Sequence, residues 1–173
     1  MIKSDYYRKG ITAVEILLAT SILLLAIGGA IVIYLMATTA WKEASALITL
    51  QQSASLAMEK MVRGVNGTGG LSEAENVVLP NANTIRYTSG IDGKIRSFYL
   101  SNDEIMYDPD ITIFNNEFSI TRKVRVNPSG LTFSVSSDGK LVTINLGMQD
   151  NVRSINTMKN INVDLYTKVK LRN

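Results

Sequence analysis

Residues 16 to 41, ILLATSILLLAIGGAIVIYLMATTAW, carry no Asp, Glu, Lys or Arg. About 20 apolar residues in helical conformation cross the hydrocarbon core of a bilayer. A core helix of this length in a water-soluble domain carries a polar face, whereas this run has only scattered Thr and Ser. The run therefore predicts a membrane-resident helix. Lys3, Arg8 and Lys9 precede it with Tyr6 and Tyr7 close by, and Trp41 closes it. Positive charge stays on the cytoplasmic side and aromatic rings favour the interfaces, which predicts a cytoplasmic N-terminus with the bulk of the chain outside.

The helical pattern does not stop at Trp41. Ala44, Leu47, Ile48, Ala54, Met58, Met61, Val62 and Val65 recur three and four residues apart, among Lys42, Glu43, Gln51, Gln52, Glu59, Lys60 and Arg63. That is the signature of an amphipathic continuation over 42–65, and no proline interrupts residues 11 to 65. A helix of that span would be roughly 80 Å long. Its outer half must lay its apolar stripe on something other than lipid. Gly64, Gly67, Gly69 and Gly70 in GVNGTGG then end it.

Beyond the glycines the texture turns to β. Thr84–Thr88 and Lys94–Leu100 flank Asp92-Gly93, and Leu131–Val135 and Leu141–Leu146 flank Asp138-Gly139. An Asp-Gly pair between alternating segments is a strong hairpin signal. Ile111, Ile113, Phe118, Ile120, Val124 and Val126 predict one or two further strands. The last strand alternates most cleanly, with Ile161, Val163, Leu165, Val169 and Leu171 against Asn162, Asp164, Tyr166, Lys168 and Lys170. Residues 64–75 and 147–160 are expected as longer loops, and Ser72 with Glu75 as a capping pair for a short helix. The fold class expected is α+β: one long N-terminal helix whose outer half packs on an antiparallel sheet in residues 66–173.

Several function classes drop out on composition. The chain has no cysteine and no histidine, so Ser-His-Asp and Cys-His sites cannot be built. The net charge of +3 is dispersed, with twelve Lys/Arg against eleven Asp/Glu from residue 66 onward, which argues against a dedicated nucleic-acid patch. GTGG at 67–70 follows a helix and lacks the Gly-Lys-Ser/Thr ending of a phosphate loop. Asp103, Glu104, Asp108 and Asp110 offer oxygen ligands suited to calcium, but their spacing matches no EF-hand and favours solvated turns. No cofactor, metal site or catalytic residue is expected, so the chain is not expected to be an enzyme.

One residue breaks the apolar pattern. Glu15 is a carboxylate at the head of the uncharged run, where burial in hydrocarbon without a partner costs several kcal/mol. An interfacial position, simply solvated, is the plain reading. Its context is Arg8-Lys9-Gly10-Ile11-Thr12-Ala13-Val14-Glu15-Ile16: a basic leader ending in glycine, one acid five residues on, then the long apolar run. This resembles the processing motif of type IV pilins and the pseudopilins of type II secretion, and the resemblance covers about the first 40 residues. It implies cleavage after Gly10 by a prepilin peptidase, N-methylation of the new first residue Ile11, and an assembly role for Glu15. It also implies the segments 1–10 (leader), 11–41 (membrane and filament-core helix), 42–65 (amphipathic continuation) and 66–173 (sheet part of the head). Phenylalanine is the usual first mature residue, and Ile11 is a rarer one. The mid-helix proline of major pilins is missing, with Gly28 and Gly29 offering a local kink instead. That departure, and a Val169-Lys-Leu-Arg-Asn tail similar to the J-type minor pseudopilins, point to a minor subunit of a pilus or secretion filament.

What the resemblance implies has a physical basis. Cleavage frees a cationic amine at Ile11, and pairing it with Glu15 of a neighbouring subunit satisfies two charges that are costly alone in lipid. Ala26, Gly28, Gly29 and Ala30 permit close helix contact. The partners expected are other pilin or pseudopilin subunits in a hetero-oligomer, the peptidase and methyltransferase, and membrane lipid. The location expected is the bacterial inner membrane, single-pass, with the C-terminal domain periplasmic or extracellular. Two other readings compete. A secretory signal cut after Thr38-Thr-Ala40 is opposed by the length of the run and by helical periodicity past Ala40. A single-span envelope binding protein that does not polymerise shares every feature except assembly.

Overall fold

The computed structural model describes residues 12–123, 130–153 and 158–172. Two compact units divide the chain, Met1–Trp41 and Lys42–Asn173. Helix α1 runs Ala13–Arg63, 51 residues, and Gly28 and Gly29 lie within it without ending it.

In the second unit, α1 buries Leu50, Ala54, Ala57, Met58 and Met61, a stripe at helical spacing. Ala54, Met58 and Met61 were expected there. Ala44, Leu47 and Ile48 were expected too but are exposed, so the buried stripe starts at Leu50. The helix ends as the glycines predict. Gly64 takes φ +95°, and its N–H donates to Lys60 O at 2.9 Å. A side chain at Gly64 would meet Gly69 C at 2.5 Å and Gly69 N at 2.8 Å, so the loop doubles back on its own backbone there.

Two antiparallel sheets follow, not one. The first has five strands in sequential order: β1 (Ala74–Asn81), β2 (Thr84–Ser89), β3 (Ile95–Ser101), β4 (Glu104–Asp108) and β5 (Phe118–Thr121). The second has three: β6 (Leu131–Val135), β7 (Leu141–Arg153) and β8 (Met158–Lys170). The sheets are joined where Phe133 N–H donates to Ala82 O in the β1–β2 turn, 2.8 Å, and where Gln149 N–H donates to Lys123 O, 2.9 Å. Both Asp-Gly hairpins form where expected, with Gly93 and Gly139 at φ +68°.

Other expectations are corrected. Residues 147–153 and 158–160 are strand and not loop: β7 and β8 stay in register from Leu141↔Lys170 to Arg153↔Met158, and residues 154–157 lie outside the described residues. Ladder hydrogen bonds carry this hairpin through polar residues that no apolar pattern marks. Ser72 and Glu75 cap no helix, since Leu71–Glu73 is a single 3-10 turn and Glu75 lies in β1. Ile111 and Ile113 sit in a turn instead of a strand, and Val124 and Val126 lie outside the described residues.

The core of this unit joins the α1 stripe to Ile85, Tyr87, Phe98, Ile105 and Tyr107 of the first sheet and Leu131, Phe133, Ile144, Leu146 and Met148 of the second. Aromatic rings stack across four neighbouring strands. Tyr87 and Phe98 are 5.8 Å apart, Phe98 and Tyr107 4.9 Å, and Tyr107 and Phe118 5.5 Å in an edge contact. Two of these rings also hold the glycine loop. Thr68 Oγ1 and the Tyr107 hydroxyl are hydrogen-bonded at 2.8 Å, and the Tyr87 hydroxyl donates to Gly69 O at 3.1 Å. Burial pushes the Tyr87 phenol well above its ordinary range, so it stays a neutral donor.

Candidate functional site

The apolar helix forms as the sequence predicts, and its side chains are exposed among the described residues. Every residue from Thr12 to Ala37 is exposed. The bare side chains include Leu17 at 67%, Leu25 at 77%, Ile33 at 69% and Trp41 at 76%. Removing such a side chain from water is worth about 1.5–3 kcal/mol. An exposed apolar surface this large and continuous marks a contact with a membrane or another protein. α1 is long and apolar enough to cross a membrane, and none of its most apolar window is buried.

Four hydroxyls on this segment are satisfied locally. Thr20 Oγ1 donates to Leu17 O at 3.0 Å and Ser21 Oγ to the same carbonyl at 2.8 Å. Thr38 Oγ1 and Thr39 Oγ1 both donate to Leu35 O at 2.9 Å. These four hydroxyls have their donors used within the helix, as an apolar medium would require. Ala26, Gly28, Gly29 and Ala30 are exposed, and a Cβ added at either glycine would meet nothing within 4 Å.

Glu15 stands at the third position of the helix, and there it has a local partner that the sequence reading did not anticipate. Thr12 N–H donates to Glu15 Oε2 at 2.8 Å, and Thr12 Oγ1 donates to the same oxygen at 3.0 Å. In return Glu15 N–H donates to Thr12 Oγ1 at 3.3 Å. This is a capping box, in which the residue before the helix and the third within it satisfy each other's backbone donors. The signal was available as Thr-x-x-Glu directly before the apolar run. Gly10 and Ile11 lie outside the described residues, and the pairing expected for Glu15 is with a neighbouring subunit and not within this chain.

No family model, characterised protein or solved structure matches this chain.

The acidic residues considered for calcium are not brought together. Glu104 pairs with Arg122 at 3.0 Å, and Asp110 pairs with Lys94 at 3.2 Å while accepting from Thr112. Among the described residues no three acids converge on a point that a cation could fill. The largest exposed apolar surface among the described residues is the helix headed by Glu15.

Proposed function

We propose that this chain is a structural subunit of a type IV pilin-like filament, a pilus or a secretion pseudopilus, and that it acts by assembly and not by catalysis. The observation that carries the reading is the conjunction at the amino end. A lone acid follows Gly10-Ile11 by four residues and heads a helix whose apolar surface is exposed among the described residues. Before assembly that surface is solvated by lipid of the inner membrane, N-terminus in the cytoplasm and the sheet-bearing unit outside. A prepilin peptidase cuts after Gly10, and the Ile11 amine is methylated. In the filament, neighbouring helices replace lipid, and Glu15 of one subunit pairs with the Ile11 amine of another. An ion pair in low dielectric serves here to set register between otherwise greasy rods. Other pilin or pseudopilin subunits are the partners, with this chain in a minor, heteromeric position.

Mass spectrometry of the intact protein from native membranes tests the reading. The expected first residue is Ile11 bearing one methyl group, and a bulky substitution at Gly10 is expected to leave residues 1–10 attached. A mature protein that begins at Met1 or at Trp41 refutes it.

The capping box favours a second reading, since it gives Glu15 an ordinary structural duty within its own chain. On that reading the chain is a single-span envelope protein that binds a partner without polymerising. Recovery of the native protein in sheared filaments together with other subunits excludes this reading.

A further inference from the structure

Three dipeptides in the chain are of the kind most prone to cyclise: Asn66-Gly67, Asp92-Gly93 and Asp138-Gly139. In each, the glycine main-chain nitrogen can attack the side-chain carbonyl carbon before it, because glycine has no Cβ to block the approach. All three glycines take positive φ, +76°, +68° and +68° in that order, so all three lie in tight turns. What separates them is how the reacting atoms are held.

At the two hairpins both reacting groups are occupied. Gly93 N–H donates to Ser89 O and Gly139 N–H to Ser136 O, each at 2.9 Å. Asp92 is gripped by Arg96 and also accepts from Lys94 N–H at 3.2 Å. Asp138 Oδ1 accepts from Ser136 Oγ and from Lys140 N–H, the latter at 3.1 Å. These bonds hold both carboxyls below their ordinary range, so both stay ionised. A carboxylate offers the attacking nitrogen no leaving group; only the protonated acid cyclises, with loss of water.

Asn66 differs on each count. Its amide carbon is electrophilic at neutral pH and carries a leaving group. Asn66 takes φ +53°, and Thr68 N–H donates to Val65 O at 3.1 Å, closing the turn around Asn66 and Gly67. Both residues are exposed, and a Cβ added at Gly67 would meet nothing within 4 Å. Among the described residues no hydrogen bond engages the Asn66 side chain or the Gly67 N–H.

We propose that Asn66 is a site of spontaneous modification, converted in the folded protein to aspartate and isoaspartate through a cyclic imide with Gly67. The Gly67 nitrogen bonds to Asn66 Cγ, the Cγ–Nδ2 bond breaks, and ammonia leaves with the Gly67 proton. Water then opens the imide. Attack at Cγ gives aspartate on the original main chain, and attack at the main-chain carbonyl gives isoaspartate, with the chain rerouted through Cγ. Either product adds a negative charge just beyond the end of α1, whose last turn carries Lys60 and Arg63. Isoaspartate also lengthens the main chain in the loop that Tyr87 and Tyr107 hold to the first sheet. The reaction needs only the folded loop and water, so it does not depend on assembly into filaments.

Peptide mass spectrometry tests the site on the full-length chain, aged in detergent at mildly alkaline pH in oxygen-labelled water. A parallel sample is aged in guanidinium chloride, where all three dipeptides are unprotected. Asn66 is expected to convert at a similar rate in both samples, gaining the mass of the acid and the solvent label. Isoaspartate in that peptide is confirmed by enzymatic methyl transfer from S-adenosylmethionine. Asp92 and Asp138, followed by label uptake, are expected to react about ten-fold more slowly folded than unfolded, a barrier rise of about 1.4 kcal/mol. Trypsin releases residues 64–86 as one peptide that also holds Asn76, Asn81 and Asn83. Asn66→Gln, which would need a larger ring, is therefore the control and is expected to abolish the label there. Label that persists in Asn66→Gln overturns the assignment. So does protection of Asn66 by folding as strong as that of the two aspartates, or faster deamidation at any other asparagine.

Discussion

Arg96 is 2% exposed, and its guanidinium closes a two-pronged pair on Asp92, with Nη1 to Oδ1 at 2.8 Å and Nη2 to Oδ2 at 2.6 Å. Arg96 stands opposite Tyr87 in the β2–β3 ladder, on the strand face that also carries Phe98. Asp92 is the first residue of the Asp-Gly turn, so the turn that starts β3 also supplies the counter-charge for an arginine inside the sheet. Bidentate geometry of this kind is the strong form of a charge-assisted hydrogen bond.

The pair makes stability depend on acid in a predictable direction. Hydrogen bonding from Arg96 holds the Asp92 carboxyl at about 2, down from 3.8. A carboxyl lowered in the folded state stabilises fully above its unfolded value, and the contribution disappears as pH falls from about 3.8 through about 2. In urea titrations followed by near-ultraviolet circular dichroism of the full chain in detergent, wild type is expected to exceed Asp92→Asn in stability at neutral pH. The gap should close over that acid window. A gap that stays constant from neutral pH to pH 2 would mean that the Asp92 charge contributes nothing.

Thr12 and Glu15 permit a separation of two roles that a simple alanine substitution confounds. Glutamine serves at the third position of a capping box, since its amide oxygen accepts the same backbone donor. Glu15→Gln therefore keeps the cap and removes the charge, whereas Thr12→Ala weakens the cap and keeps the charge. Loss of the cap costs about 0.5–2 kcal/mol of helix stability, little against a helix held in lipid. Incorporation into filaments, measured by immunoblot of sheared material, is expected to collapse in Glu15→Gln and to survive in Thr12→Ala. The reverse order would reduce Glu15 to a capping residue.

What could be read from the chain alone followed the strength of the periodic signal. The uncharged run, the glycine stop and the two Asp-Gly hairpins were legible because each is a local demand: length without charge, positive φ, alternation about a tight turn. β1 was not, because Pro80 and the asparagines in AENVVLPN signal a turn, and only its place at a sheet edge makes a proline tolerable there. β4 is five residues long with acids at both ends, and its alternation of Ile105 and Tyr107 inward against Met106 is too brief to stand out. The far half of the β7–β8 hairpin is polar and is held by backbone pairing to its neighbour, which leaves no hydrophobic trace. At the amino end, Glu15 stood out as a misplaced charge, while its bond to Thr12 was legible in the spacing and overlooked.

The glycine loop supplies a stability test whose outcomes separate crowding from backbone conformation. Gly64 and Gly67 both take positive φ, +95° and +76°, so alanine at either carries a left-handed penalty of about 1–2 kcal/mol. Only at Gly64 is there also no room: its Cβ would press on Gly69 and Gly70 backbone atoms between 2.5 and 2.8 Å away. At Gly67 a Cβ meets nothing within 4 Å. Gly70 has an extended backbone, φ −104° and ψ −162°, which alanine adopts freely, yet its Cβ would collide with Gly64 N and Val62 O. Overpacking against backbone costs about 1–3 kcal/mol because backbone cannot rotate out of the way. Urea midpoints are therefore expected to rank Gly64→Ala as the most destabilised, with Gly67→Ala and Gly70→Ala each milder and for opposite reasons. Gly70→Ala as stable as wild type would show that the loop does not double back as tightly as its contacts require, and the pinning by Tyr87 and Tyr107 would then have to be reassigned.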